Sequence, residues 1–251
     1  MASIRLQKLL PHVLAISCFI LVATFFCKPV LDGLVLNQHD IVGWKGMAQN
    51  ALEYKEKNGH MPLWNPNLFG GMPNYQIAME GESAMPNFVK IFSLGLPKPI
   101  DFLFVAAFCF YILCLVIGLS PWIGIFGGLA YMLSTYNPII IGVGHESKMW
   151  ALAFLPLMFA GILALFEKRY WLGTALTVYG IFQEISVNHF QITYYALIIG
   201  VAVFVAYMIS WIKNKDWKHT GRVLAIGIGA AILGVAGNAL ILLTTSEYTR
   251  Y

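Results

Sequence analysis

A stretch of about 20 apolar residues in lipid has little choice but to be a helix, because hydrocarbon offers its backbone N–H and C=O groups no partner outside the segment itself. This chain of 251 residues carries seven such stretches, at about Leu9–Cys27, Ile100–Leu119, Pro121–Gly142, Met149–Phe166, Tyr170–Val187, Ile192–Ile212 and Val223–Thr245. None has the alternating polarity of a membrane β-barrel strand. The expected class is an all-α membrane protein, a single transmembrane domain over 1–251 with about seven spans. Only 11% of the residues are charged, less than half the roughly 25% of an ordinary soluble domain. A net charge of +4 spread along such a chain excludes a nucleic-acid-binding domain, which needs Lys and Arg clustered on one face. The partner that composition demands is the lipid bilayer.

Orientation follows from Lys and Arg in the short links. Arg5 and Lys8 precede the first span, Lys168 and Arg169 follow the fourth, and Lys213, Lys215, Lys218 and Arg222 separate the sixth from the seventh. With seven spans these links share one side, which is expected to be cytoplasmic, with the N-terminus. The opposite side receives the stretch 28–99, two short links and the C-terminus. The first span has a basic start like a signal peptide. Its apolar run is long and no A-x-A-like site follows, so a retained anchor is expected. Cys18, Cys27, Cys109 and Cys114 fall in or beside spans without metal or redox spacing, and read as small core residues.

The stretch 28–99 holds seven of the eleven prolines and reads as an ordered external cap. Within it Ile41, Trp44, Met47, Ala48, Ala51 and Leu52 recur at helical spacing, opposite Lys45, Gln49, Asn50, Glu53 and Glu56. That pattern predicts an amphipathic helix over 41–57, stopped at Gly59 and lying in the membrane interface. The following Pro62–Pro73 is a run of turn signals with no helix or strand pattern.

Polar residues beside spans are costly and tend to mark function. Here they gather on the external side. Asp32, His39 and Asp40 follow the first span, His145, Glu146 and Lys148 separate the third and fourth, and Glu184, Asn188, His189 and Gln191 lie between the fifth and sixth. Each also has a plain structural reading. Asp40 can cap the amphipathic helix, His145-Glu146 can be a solvated turn, Glu184 can pair with Lys148 or a histidine, and His189 and Gln191 can be interfacial hydrogen bonders. Asn137-Pro138 is expected to kink the third span. Small residues from Ala225 to Gly237 form a helix-packing face. Phosphate-loop, zinc-protease and hydrolase-elbow motifs are absent.

Two motifs are more specific in combination than either alone: Trp64-Asn65-Pro66-Asn67-Leu68-Phe69-Gly70-Gly71-Met72-Pro73 and Asn188-His189-Phe190-Gln191-Ile192-Thr193-Tyr194-Tyr195. With Gly144-His145-Glu146-Ser147-Lys148 and Leu155-Pro156-Leu157 they resemble the N-terminal part of the YfhO family of bacterial multi-span membrane proteins, over essentially the whole chain. That family looks like a branch of the GT-C superfamily of membrane glycosyltransferases. The resemblance implies a GT-C-like helical enzyme of the bacterial inner membrane. It would take a polyprenyl-phosphate-linked sugar as donor and pass the sugar to a cell-envelope glycan or polymer acceptor on the external face. Family members are longer, so it also implies that a C-terminal part is missing.

In the GT-C pattern an acidic residue of the first external loop acts at the reaction centre, and the matching position is Asp40. The pattern often shows two neighbouring acids, whereas this chain has Gln38-His39-Asp40. Sugar transfer needs a base for the acceptor hydroxyl, for which Asp40 is the candidate. It needs positive charge at the departing phosphate, for which His145, Lys148 or His189 are candidates. Glu146 or Glu184 would orient those cations or bind Mg²⁺ or Mn²⁺, which favour oxygen ligands. Gln191 completes the substrate-binding set. The alternatives are a transporter or flippase of lipid-linked or polar substrates, and a non-catalytic membrane scaffold.

Overall fold

The computed structural model describes residues 2–78 and 88–250, with side chains from Gln7 onward. The part 79–87 of the expected external loop and the side chain of Arg5 lie outside the described residues. The chain runs as α1 (Ala2–Phe26), α2 (Lys28–Leu31), α3 (His39–Asn58), a hairpin of β1 (Trp64–Asn65) and β2 (Met72–Pro73), a 3-10 turn at Asn74–Gln76, and α4 (Val89–Phe92). Eight further helices follow: α5 (Ile100–Val116), α6 (Pro121–Met132), α7 (Tyr136–Val143), α8 (Glu146–Phe166), α9 (Tyr170–Ser186), α10 (Phe190–Lys213), α11 (Trp217–Ala236) and α12 (Ala239–Tyr248).

Among the described residues, α1, α8, α10 and α11 are long and apolar enough to cross a membrane, and the bent pair α6–α7 adds a fifth if it forms one span. The protein is an all-α, multi-pass membrane protein. Helices α5 and α9 have 17 residues each, about 26 Å at 1.5 Å per residue, a few Å less than a hydrocarbon core of roughly 30 Å.

The core lies along α5, which buries Phe102, Leu103, Phe104, Val105 and Cys109 between α1, α6 and α8. Its neighbours approach through glycine. A Cβ at Gly128 of α6 would stand 2.7 Å from the Phe19 ring of α1 and 2.8 Å from the Ala107 carbonyl of α5. The tightest pair is α8 against α9, where Gly161, Gly173 and Gly180 each meet backbone atoms of the facing helix. Small residues that let backbones touch are the usual means of helix association in lipid.

Three expected spans differ in detail. The third bends by 42° between α6 and α7, one turn ahead of Pro138. Pro138 sits in the first turn of α7, where its missing N–H breaks no helical bond. Asn137 holds the bend, its Nδ2 donating to the carbonyls of Tyr131 (2.8 Å) and Met132 (3.3 Å) at the frayed end of α6. The fourth starts earlier than Met149, so Glu146, Ser147 and Lys148 are its first turn rather than a link. The seventh, expected to run to Thr245, ends at Ala236 and restarts as α12. Asn238 sits in the gap and donates to the carbonyls of Phe182 (2.9 Å) and Gly234 (3.3 Å).

The Pro62–Pro73 run, expected to lack strands, forms the short hairpin, with Trp64 opposite Pro73 and Asn65 opposite Met72. Asn65 Oδ1 accepts from the Asn67 N–H at 3.1 Å and starts the reversal. Gly71 completes it at φ +113°, where a Cβ would lie 2.7 Å from Trp64 Nε1. Asn65 also donates to the Met47 carbonyl (3.3 Å), and Trp44 donates to that of Ile77 (2.7 Å). The motif therefore braces α3. Ala48 and Ala51 of α3 pack on Ala78, with Leu52, Met61 and Ile77 around them. Part of the apolar face expected to lie on the membrane is thus covered by the chain's own loop.

Candidate functional site

At the Glu146 end of α8 the chain turns sharply. Gly144 closes α7 at φ +98°, and a Cβ there would meet Gln38 Cβ at 2.9 Å and Ile41 Cγ1 at 3.0 Å. The turn needs glycine because the start of α3 lies directly against it. Gln38 fastens the contact by donating to the Ile141 carbonyl at 2.6 Å. Asp40 is thereby carried to His145, with Oδ2 3.1 Å from Nε2. The capping reading of Asp40 does not hold. It stands in the first turn of α3, and the N-cap position is Gln38, whose side chain makes no capping bond.

One further link brings its group here. His189 precedes α10, with Nδ1 3.4 Å from Ser147 Oγ. Its Nε2 is buried and has no hydrogen-bond partner among the described residues. Burial holds the His189 pKa below its ordinary value, and the charges of Lys148 and His145 push the same way. Those three groups thus share one electrostatic neighbourhood, and an anion placed in it would relieve their mutual repulsion. Lys148 itself lies over the Tyr136 ring, 5.4 Å from its centre.

The other expected site residues go elsewhere. Glu146 is paired with Lys98, just ahead of α5, and not with the histidines. In the sequence Lys98 looks like any lysine flanking a span. Gln191 is exposed and donates to Tyr195 on its own helix at 3.1 Å. Glu184 is 1% exposed, and the expected pairing with Lys148 or a histidine is not found. Its Oε1 accepts from the Thr193 hydroxyl at 3.5 Å, and Oε2 has no partner among the described residues. It faces an apolar groove of about 690 Å³ bounded by α8, α9, α10 and α11.

An oxygen-liganded divalent ion would require at least two of these carboxylates together. Asp40 faces His145 and Glu146 faces Lys98, so they do not gather. Among the described residues no three His, Cys, Asp or Glu side chains converge on a metal position.

The Phe166 end of α8 is built differently. Here His219, 3% exposed, donates from Nε2 to the Phe166 carbonyl (2.9 Å) and accepts the Tyr170 hydroxyl at Nδ1 (2.8 Å). Its ring lies edge-on to Trp211. Lys168 and Asp216 pair at 2.6 Å. Each shifts the other, holding the lysine pKa above and the aspartate pKa below its ordinary value. Arg169 donates to the Val116 carbonyl. From the sequence alone His219 looks like one more orientation charge, because it stands among Lys215, Lys218 and Arg222. These contacts fasten α8, α9, α10 and α11 to one another.

The chain matches no protein-family model, no curated protein and no solved structure.

Proposed function

We propose that the chain is a membrane glycosyltransferase, or the N-terminal half of one. It would move a sugar from a polyprenyl-phosphate-linked donor to a cell-envelope acceptor on the external face of the bacterial inner membrane. The resemblance of its two motifs to the YfhO family supports this reading. The observation that carries it is the meeting of Asp40 and His145, 3.1 Å apart, beside Lys148 and His189. In this reading α5 and α9 count as spans, giving seven. The Lys168–Asp216 end is cytoplasmic, with the N-terminus, and the Asp40–His145 end is external.

The chemistry divides among these residues. As the acceptor hydroxyl oxygen bonds to the anomeric carbon, Asp40 takes its proton, and the bond from that carbon to the phosphate oxygen breaks. The departing phosphate gains negative charge, which Lys148 and the imidazoles of His145 and His189 stabilise. His145 holds the Asp40 carboxylate in place. A transporter or flippase is favoured by one feature, the 42° break between α6 and α7, since broken helices build midplane sites in transporters. The scaffold reading has no such support.

Asp40→Asn tests the proposal, because it keeps the shape of the side chain and removes its basicity. Transfer from a polyprenyl-phosphate sugar in isolated membranes should fall at least about 100-fold, the lower bound for a positioned base. Transfer at the full rate would remove Asp40 from the chemistry. Substrate flux in vesicles without any sugar transfer would favour the transporter.

A further inference from the structure

We propose that the groove between α8, α9, α10 and α11 binds a neutral, hydroxyl-bearing lipid whose hydroxyl hydrogen-bonds to Glu184. This site is separate from the Asp40–His145 centre, and it stands whether or not that centre transfers sugar.

The groove is lined almost entirely by apolar side chains, and its volume of about 690 Å³ is that of a small-molecule site. It opens sideways. Leu197 and Val201 of α10 and Leu224 and Ile228 of α11 line it and are also exposed on the outer surface of the helices. Around a multi-pass protein that surface faces acyl chains, so a lipid chain has a direct path in.

Two lining groups make the groove more than a crevice for bulk lipid. Glu184 is 1% exposed, and its Oε2 has no hydrogen-bond partner among the described residues. Thr177 lies seven residues earlier on α9, about 10 Å along the helix axis. Its hydroxyl is also buried and without a partner among the described residues. Buried polar groups are nearly always hydrogen-bonded, and each exception calls for an explanation. A ligand that presents a hydroxyl at the depth of Glu184 would meet the orphaned oxygen there.

The dryness of the groove selects the ligand. Bringing a phosphate to Glu184 would strip its charge of water in an apolar site. A hydroxyl carries no charge to dehydrate, and it can donate to the carboxyl oxygen or accept from a carboxyl proton. Phosphate is better served by Lys148, His145 and His189, which lie outside the groove lining. The lipid class is therefore an alcohol, such as a diacylglycerol, rather than a lipid phosphate.

The experiment uses the whole chain in phosphatidylcholine nanodiscs. The probes are a diacylglycerol with a photoreactive diazirine in one acyl chain and a phosphatidic acid with the same two chains. The diacylglycerol should label peptides of α9, α10 and α11 at least tenfold more strongly than the phosphatidic acid, and unlabelled diacylglycerol should compete. Glu184→Leu should lower that labelling at least fivefold, whereas Glu184→Gln, which keeps an acceptor oxygen, should retain at least half. Gly227→Phe provides a block that does not depend on the carboxyl group. Gly227 lines the groove and nothing lies within 4 Å of the Cβ position, so the ring can fill the space without disturbing backbone, and labelling should vanish. Equal labelling by phosphatidic acid, full labelling of Glu184→Leu, or full labelling of Gly227→Phe would each overturn the proposal. Circular dichroism of every variant separates loss of binding from loss of fold.

Discussion

Replacing Gly161 with alanine should loosen the contact on which the position of α9 depends. The new Cβ would stand 2.3 Å from the Thr177 nitrogen and 2.7 Å from the Leu176 carbonyl carbon, against 3.4–4 Å for ordinary contact. Closing that deficit means moving α8 and α9 apart by at least about 1 Å, because the obstructing atoms are backbone and no rotamer change relieves them. Overpacking of this kind costs about 1–3 kcal/mol, and the backbone location argues for the upper end. Alanine returns about 1 kcal/mol through its better helix propensity. The net loss is about 2 kcal/mol, roughly a 30-fold fall in the folded-to-unfolded ratio at 1.4 kcal/mol per decade. Gly200→Ala is the matched control. It is also helical, but nothing lies within 4 Å of its Cβ position, so it should gain about 1 kcal/mol. Reversible unfolding of the purified protein in mixed micelles, followed by circular dichroism, would place the two variants about 3 kcal/mol apart. If both unfold at the same denaturant fraction, the glycine contacts do not set the α8–α9 spacing and the reasoning fails.

Three other expectations are simpler to check. Asn137→Ala strips the Tyr131 and Met132 carbonyls of their donor at the α6–α7 bend and should cost about 1–3 kcal/mol; a thermal scan showing no loss would mean that the bend is held by something else. His219→Phe keeps the ring but abandons the Phe166 carbonyl and the Tyr170 hydroxyl, for about 2 kcal/mol. Adding Tyr170→Phe should recover part of that loss, and strict additivity of the two would refute the coupling. The third expectation concerns pH. The His189 pKa lies below its ordinary 6.5 in the folded protein, so the unfolded chain takes up the proton first. The stability this histidine contributes is complete above that ordinary value and is lost as pH falls below it. Wild type should therefore lose more melting temperature between pH 7.5 and 5.5 than His189→Gln, and parallel losses would contradict the assignment.

Positions of apolar helices were readable in the sequence because burial in lipid leaves a long, unbroken signature. So was the meeting of the Asp40 and His145 links at one end of the bundle, since span counting alone puts them on the same side. Contacts between specific side chains were not readable. Glu146 could equally have served His189 or Lys98, and the sequence does not say which stands within reach. Glu184 looked like a member of the polar cluster because sequence gives its depth along α9 and not its rotation about the helix axis, which points it into the groove. The Gly237-Asn238 break has no clear local signal, because both residues are tolerated inside membrane helices. At the break Asn238 donates to the Phe182 carbonyl, 56 residues away in the chain, a contact no local pattern encodes.

The unequal fastening of α10 has a mechanical consequence. At its Lys213 end α10 is held directly, the Tyr207 hydroxyl donating to Glu167 at 3.0 Å and the Trp211 ring lying edge-on to His219, beside the Lys168–Asp216 pair at 2.6 Å. At its Phe190 end Ser147–His189 at 3.4 Å and Thr193–Glu184 at 3.5 Å tie it to α8 and α9, both near the limit of a hydrogen bond. The helix is thus a lever with a stiff fulcrum and a light latch. Its 24 residues make an arm of about 36 Å at 1.5 Å per residue, so a rotation of about 5° at the fulcrum carries the latch end through about 3 Å. That travel would stretch both ties past bonding distance while leaving the Lys168–Asp216 end undisturbed.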